Sequence, residues 1–185
     1  MRRLIAAINM TLDGYCDHTA GNPDEEIHQH YADLVKDASI LIYGRITYQL
    51  MENYWPDVVK NPTGVKSTDE FAAAIDEVAK IVYSRTLKTV SWKNTTLKNE
   101  IVRDEILALK QSGSEGDILV GSPGLIVALT KLNLVDEYQI NVLPVILGRG
   151  LPLFRDINEK IMLRLVKTKT FGCGSVNCYY EPAKR

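Results

Sequence analysis

The run Gly116-Asp117-Ile118-Leu119-Val120-Gly121-Ser122-Pro123-Gly124-Leu125-Ile126-Val127-Ala128-Leu129-Thr130-Lys131-Leu132-Asn133-Leu134-Val135-Asp136-Glu137-Tyr138 passes from a strand signal through glycine into a helix signal. Ile118, Leu119 and Val120 form a short apolar run suited to a strand buried on both faces. Gly121 permits backbone torsions, or a close backbone approach, that a side chain forbids. Ser122 suits an N-cap. Pro123 suits the first helical position, where its missing N–H costs nothing. Leu125, Ile126 and Leu129 then recur at helical spacing. A buried strand that turns through glycine into a capped helix aims unpaired N–H groups at one point, and such a point binds phosphate. The same residues also describe an ordinary strand–helix connection.

The unit recurs along the chain. Ser39 to Tyr43 is a buried strand, followed at once by Gly44 and a helical run from Arg45 to Met51. Lys80 to Ser84 is another strand, ending at Arg85 and Thr86. Leu4 to Ile8 is apolar throughout, a central strand behind two arginines. Asn9 to Gly14 leads away from it as a loop, with Asp13-Gly14 as its turn signal. A helix is predicted from Asp24, where Asp24, Glu25 and Glu26 complement the helix dipole, with Ile27, Tyr31, Leu34 and Val35 on its buried face. Further helices are predicted over Asp69–Ala79 and Glu100–Gln111, and surface loops over Tyr54–Thr68 and Ser112–Gly116. Thr89–Trp92 and Thr95–Leu97 are candidate short strands. Asp136 to Leu143 alternates as a half-buried strand. Ile161–Thr170 and Ser175–Glu181 form a hairpin about Gly172-Cys173-Gly174. Repeated strand–helix units predict an α/β fold: a predominantly parallel central sheet flanked by helices, closed by a C-terminal antiparallel hairpin, as one domain over residues 1–185.

Composition narrows the function classes. With 45% hydrophobic and 24% charged residues, the 185-residue chain has a soluble globular make-up and enough length for a substantial core. A net charge of −1 gives no global field toward nucleic acid or an anionic membrane. The N-terminal apolar run is too short for a signal peptide and meets Asp13-Gly14, and no run reaches membrane-spanning length. Three cysteines, Cys16, Cys173 and Cys178, favour a reducing compartment, hence a cytoplasmic protein. A bridge between Cys173 and Cys178 is sterically conceivable. No Cys/His cluster has zinc spacing, so no metal is expected. His28 and His30 point to different sides of a helix and read as solvated.

In an open α/β sheet, ligands bind beyond the carboxyl ends of the strands. Four such ends carry distinctive residues: Asp13-Gly14, Gly44-Arg45-Ile46-Thr47, Ser84-Arg85-Thr86 and Gly121-Ser122-Pro123-Gly124. If these strands are parallel neighbours, two glycine-to-helix turns, a threonine hydroxyl and two arginines share one cleft. That set suits a ligand with several phosphates, because arginine pairs with phosphate oxygens bidentately and helix N-termini supply N–H donors. Neither Gly-x-Gly-x-x-Gly after a strand nor Gly-Lys-Ser/Thr is present.

The order of these motifs resembles a known family. Thr11-Leu12-Asp13-Gly14-Tyr15, Tyr43-Gly44-Arg45-Ile46-Thr47-Tyr48, Val82-Tyr83-Ser84-Arg85-Thr86-Leu87, Val120-Gly121-Ser122-Pro123-Gly124 and Pro144-Val145-Ile146-Leu147-Gly148-Arg149-Gly150 with Phe154 are similar to successive motifs of the dihydrofolate reductase-like family. The branch is that of the C-terminal reductase domain of the bifunctional riboflavin biosynthesis deaminase–reductase, and the resemblance runs from Arg3 to Tyr180.

The resemblance implies a dihydrofolate reductase-like fold with NADPH as hydride donor. It implies that Gly44, Arg45 and Thr47 hold phosphates and that Ser84 and Arg85 contact the adenosine ribose and its 2′-phosphate. Gly121, Ser122, Pro123, Gly124 and Leu125 would cradle the diphosphate. Asn9, Asp13 and Gly14 would lie near the nicotinamide and a small-molecule substrate, with Asp13 or His28 as proton donor. The expected reaction is reduction of a small heterocycle, such as 5-amino-6-(5-phosphoribosylamino)uracil of riboflavin biosynthesis. A folate reductase carries an acid on its first helix. The matching region here is Ile27-His28-Gln29, so dihydrofolate reduction is disfavoured and an NADP(H)-binding module without turnover is the alternative. The apolar Leu143–Leu153 stretch, together with the branch's dimeric habit, predicts a homodimer.

Overall fold

A computed structural model describes residues 1–113 and 115–183; Ser114, in the expected Ser112–Gly116 loop, lies outside the described residues. In chain order the elements are β1 (Leu4–Thr11), β2 (Tyr15–Cys16), α1 (Glu25–Lys36), β3 (Ala38–Gly44), α2 (Arg45–Glu52), α3 (Trp55–Lys60), α4 (Lys66–Glu77) and β4 (Ala79–Tyr83). They continue with β5 (Thr95–Lys98), α5 (Arg103–Gln111), β6 (Asp117–Val120), α6 (Pro123–Lys131), β7 (Glu137–Leu143), β8 (Leu151–Pro152), β9 (Leu163–Thr170) and β10 (Val176–Pro182).

Eight strands form one sheet in the order β5-β4-β3-β6-β1-β7-β10-β9, and β2 pairs with β8 apart from it. The pairings from β5 to β7 are all parallel; β10 runs antiparallel to both β7 and β9. β1 lies between β6 and β7, and alternate residues point to opposite faces. Leu4, Ala6 and Ile8 pack with Ile106 of α5 and Ile126 and Leu129 of α6. Ile5 faces the other side with Val35 of α1, Tyr48 of α2 and Ile75 of α4. The result is a sheet with a helical layer on each face, as the alternation of elements predicts.

Three local expectations are corrected. Residues 54–68 are not one loop. They hold α3 and the start of α4, because Pro56 sits in the first turn of α3, where proline is tolerated. Thr89–Trp92 is not a strand: the N–H groups of Ser91 and Trp92 donate to the Tyr48 hydroxyl at 3.2 and 3.2 Å, not to a neighbouring strand. β7 is not half-buried. It lies between β1 and β10, and its polar residues Glu137, Gln139 and Asn141 are buried. The Leu143–Leu153 stretch is buried at its two ends, Leu143 and Leu153, while Pro144, Ile146, Gly148, Arg149, Gly150 and Pro152 between them are exposed. Cys16, Cys173 and Cys178 are all free, and burial pushes the Cys16 thiol up to about 11.

Candidate active site

The strand order lines up the four motif-bearing ends. Ser84-Arg85 follows β4, Gly44-Arg45 follows β3, Gly121 to Leu125 follow β6, and the Leu12–Gly14 turn follows β1. Neighbouring strands lie about 4.8 Å apart, so these ends form one continuous row. The loop after β7 extends the row: the Leu12 N–H donates to the Val145 carbonyl at 2.9 Å.

The two glycine turns touch. Gly44 caps α2 in extended conformation, and its N–H donates to Ser122 Oγ at 2.9 Å. Ser122 was expected to cap its own helix. Its side chain makes no such bond and instead clasps the neighbouring turn, while Pro123 takes the first helical position as expected. The N-termini of α2 and α6 are thus held side by side, both open at the carboxyl edge of the sheet. A methyl added at Gly124 would meet nothing within 4 Å, and one at Gly121 would lie 3.3 Å from the Ala7 carbonyl. Arg45 and Arg85 are exposed and make no ion pair among the described residues, and Arg45 bonds only Gln49, at 3.0 Å. Thr47 is half-buried on the first turn of α2, and Leu125 packs partly against the core. Open space beside two helix N-termini and two guanidinium groups in no ion pair among the described residues is a donor set that fits a phosphorylated dinucleotide. Ser84 contributes differently from expectation: its Oγ accepts the N–H groups of Thr86 at 3.2 Å and Leu87 at 2.9 Å, which shapes the turn that presents Arg85.

Asp13 is a loop fastener. Its carboxylate accepts from the Thr11 hydroxyl at 2.6 Å and the Gly148 N–H at 2.7 Å, and from Leu147 N–H at 3.1 Å. The Thr11 hydroxyl first, then the Gly148 N–H, hold it at about 2. A carboxylate so held accepts hydrogen bonds and has no proton to give near neutral pH, which corrects its reading as proton donor. Gly14, at φ +89°, makes the turn that follows and is half-buried. The fastening gathers Leu12, 64% exposed, and Ile146, 75% exposed, at the same edge. Apolar side chains standing in water beside a polar groove suit the face of a flat ring.

Behind this edge is a cavity of about 230 Å³, between β1, the start of α1 and the loop after β7. Asn9, His18, Ile27, Leu143, Val145 and Cys173 are among its walls. It is smaller than ligand clefts of about 300–1,000 Å³, and fits a single ring with its nearest substituents. The α1 residue that faces it is Ile27, 2% exposed, and not His28, which is half-buried outside the walls. His28 therefore does not join the site, because the helical turn rotates it away from Ile27. His30, read as solvated, is instead packed 5.3 Å from Phe171 and bonded to Asn177 at 3.2 Å, and burial lowers its pKa. A larger cavity of about 450 Å³ lies between the end of α6 and the start of β9; it gathers none of the motif residues.

Residues 2–177 match the RibD C-terminal domain family. The chain belongs to that family. It is 31% identical over 183 residues to the Bacillus subtilis (strain 168) protein YyaP, covering 97% of this chain and 95% of that one. Its fold matches a putative riboflavin biosynthesis protein from Shewanella sp. PV-4 with TM-score 0.75 at 20% identity, over 98% and 99% of the two chains. It also matches Enterococcus faecalis dihydrofolate reductase complexed with NADP(H), with TM-score 0.63 at 14% identity over 98% and 97%. The RibD C-terminal fold thus has the dihydrofolate reductase-like plan. Within this RibD C-terminal domain, sequence reasoning missed the cavity walls Asp17, His18, Leu143 and Cys173. They come from loops and strand ends distant in sequence. The buried Asn141 could have been found, since it is a polar residue in a strand of a mostly parallel sheet.

Proposed function

We propose that this RibD C-terminal domain is an NADPH-dependent reductase of a small heterocycle. The observation that carries the reading is the order of strand ends: arginine, paired helix N-termini, apolar edge, then cavity. That order follows a nicotinamide dinucleotide from its 2′-phosphate to its reactive ring. Arg85 would take the 2′-phosphate, and Arg45 with the α2 and α6 N-termini the diphosphate. When bound, NADPH supplies the hydride; the protein supplies position and electrostatics. Leu12 and Ile146 would shield the ring from water. Asn9 and Ile27 would seat the substrate ring in the cavity, with His18 at its wall the nearest candidate for passing a proton to the reduced heteroatom.

A substrate such as 5-amino-6-(5-phosphoribosylamino)uracil fits this reading if its ring enters the cavity and its phosphate stays outside, because no lysine or arginine lines the cavity among the described residues. Dihydrofolate is disfavoured, because Ile27 stands where α1 meets the cavity. Titration of nicotinamide fluorescence with NADPH and NADH tests the cofactor, and NADPH oxidation with phosphorylated and dephosphorylated pyrimidines tests the substrate. No binding of either cofactor at sub-millimolar concentration refutes the reductase reading. A binding module without turnover is the second reading, favoured by the locked Asp13 carboxylate; cofactor binding with no oxidation across the panel would select it.

We also propose a homodimer. Beside the exposed Ile146 of the Leu143–Leu153 stretch, it is supported by β9, an edge strand with Leu165 50% and Val166 43% exposed, and by the neighbouring Met162, 58% exposed. Light scattering should give twice the chain mass, and a monomer mass at working concentration refutes it.

A further inference from the structure

We infer that Asn9 is a fixed hydrogen-bond donor at the cavity wall, and that it selects a pyrimidine presenting a 4-carbonyl oxygen there over one presenting an amino group. The inference rests on the reductase reading above and names the chemistry of its substrate.

Asn9 is held by its own oxygen. Asn9 Oδ1 accepts from the Tyr31 hydroxyl at 2.7 Å and from Asn141 Nδ2 at 2.9 Å. An amide oxygen has two lone pairs, and both are engaged. The Asn9 Nδ2 group is left for the cavity, whose wall Asn9 forms. Burial pushes Tyr31 well above the ordinary range for a phenol, so it stays a donor. Asn141, 1% exposed, lies opposite Asn9 in the β1–β7 register, and Asn177, 1% exposed, lies opposite Asn141 in the β7–β10 register. Three asparagines thus cross three adjacent strands in one row beneath α1. The outer end of the row is tied to α1 through the Asn177–His30 bond. With Asn141 as it stands, a turned Asn9 would aim its NH2 at the Asn141 NH2 and lose that bond.

Ile27, Leu143 and Val145 line the same cavity with side chains that offer no hydrogen bonds, and Asp17, His18, Asn22 and Cys173 are its other polar walls. A donor held in one orientation discriminates between ligands, because a ligand that meets it with a donor leaves both groups unpaired. Uracil and cytosine differ along one edge: the 4-carbonyl accepts and N3–H donates in uracil, whereas the 4-amino group donates and N3 accepts in cytosine.

The test is calorimetric titration of the NADP⁺-loaded protein with uracil, 4-thiouracil, 2-thiouracil and cytosine, with NADPH affinity and thermal melting measured for every variant. Wild type should bind uracil at least tenfold tighter than cytosine, and 4-thiouracil, unlike 2-thiouracil, about tenfold weaker than uracil. Asn9→Leu should abolish this discrimination. Asn9→Asp, which the same two donors can hold, should reverse it in favour of cytosine. Tyr31→Phe should shrink it severalfold by freeing the Asn9 amide, with NADPH affinity unchanged. A cytosine preference in wild type, or discrimination that survives in Asn9→Leu, overturns the inference. Wild-type protein that binds NADPH but none of the pyrimidines overturns the substrate class and the inference with it. Failure to bind NADPH overturns the reductase reading itself.

Discussion

Ser122→Ala separates a clasp between two turns from an ordinary buried serine. The hydroxyl accepts the Gly44 N–H at 2.9 Å, and Ser122 is only 4% exposed. Alanine removes the acceptor and leaves that N–H unpaired at a half-buried position. A fully desolvated donor left unpaired costs about 1–3 kcal/mol and an ordinary lost bond about 0.5–1.5, so about 1–2 kcal/mol is expected. For a chain of this size each kcal/mol lowers Tm by about 2–4 °C, giving a drop of about 2–8 °C in a thermal melt. The second effect is on the groove. Unclasped, the N-termini of α2 and α6 no longer converge on one anion. Each end offers about 0.3–1 kcal/mol to a nearby negative charge. Losing that convergence should weaken NADPH binding roughly threefold to tenfold. The assays are melting followed by circular dichroism and titration of nicotinamide fluorescence. A Tm within about 1 °C of wild type together with unchanged NADPH affinity would refute the clasp, since half-burial and an unpaired donor cannot both be free of cost.

Arg85→Ala should weaken NADPH by about ten- to a hundredfold, the worth of a charge-assisted bond of about 1.5–3 kcal/mol, and leave NADH unchanged; equal losses for both cofactors would deny Arg85 the 2′-phosphate. Asp13→Asn should flatten part of the acid limb of stability. The folded pKa of Asp13 is about 2, against about 3.9 unfolded, so its contribution is complete above pH ~4 and is lost as pH falls through ~2. The difference between wild-type and variant melting curves over that window measures it, and a constant difference from pH 7 to pH 2 would show that the Asp13 charge is not what fastens the Leu147–Gly148 loop.

The parallel sheet was legible because its strands are apolar runs ended by glycine or arginine, and such runs have few other foldings. The placement of Gly44 beside Ser122 was half legible: each turn could be read, but the bond between them depends on β3 and β6 being neighbours, which local sequence does not encode. Asp13 was found as a position and misread as an acid, since its partners Leu147 and Gly148 lie far along the chain. The first helix shows the limit most clearly. Ile27 and His28 differ by one residue, and a helix rotates by about 100° per residue, so only the structure decides which faces the cavity.

β7 breaks the rule that a strand between neighbours in a parallel sheet is apolar on both faces. Tyr138 and Ile140 obey it on one side, packed with α5 and α6 residues. On the α1 side, Gln139 Oε1, Asn141 Oδ1 and Asn177 Oδ1 are buried without a partner among the described residues. Each such group costs about 1–3 kcal/mol, and a sequence selected for stability alone would discard them. Departures of this kind concentrate at functional sites, and this one borders the cavity through Asn9. Asn141→Leu is therefore a test with opposed outcomes. Leucine removes an unpaired buried acceptor and adds apolar contact, while Asn9 keeps the Tyr31 bond, so Tm should rise by about 2–4 °C for each kcal/mol gained. The same change loosens the Asn9 amide and should lower discrimination between uracil and cytosine. If Tm instead falls, the asparagine row is a structural network whose members are needed for folding, and its position beside the cavity carries no functional meaning.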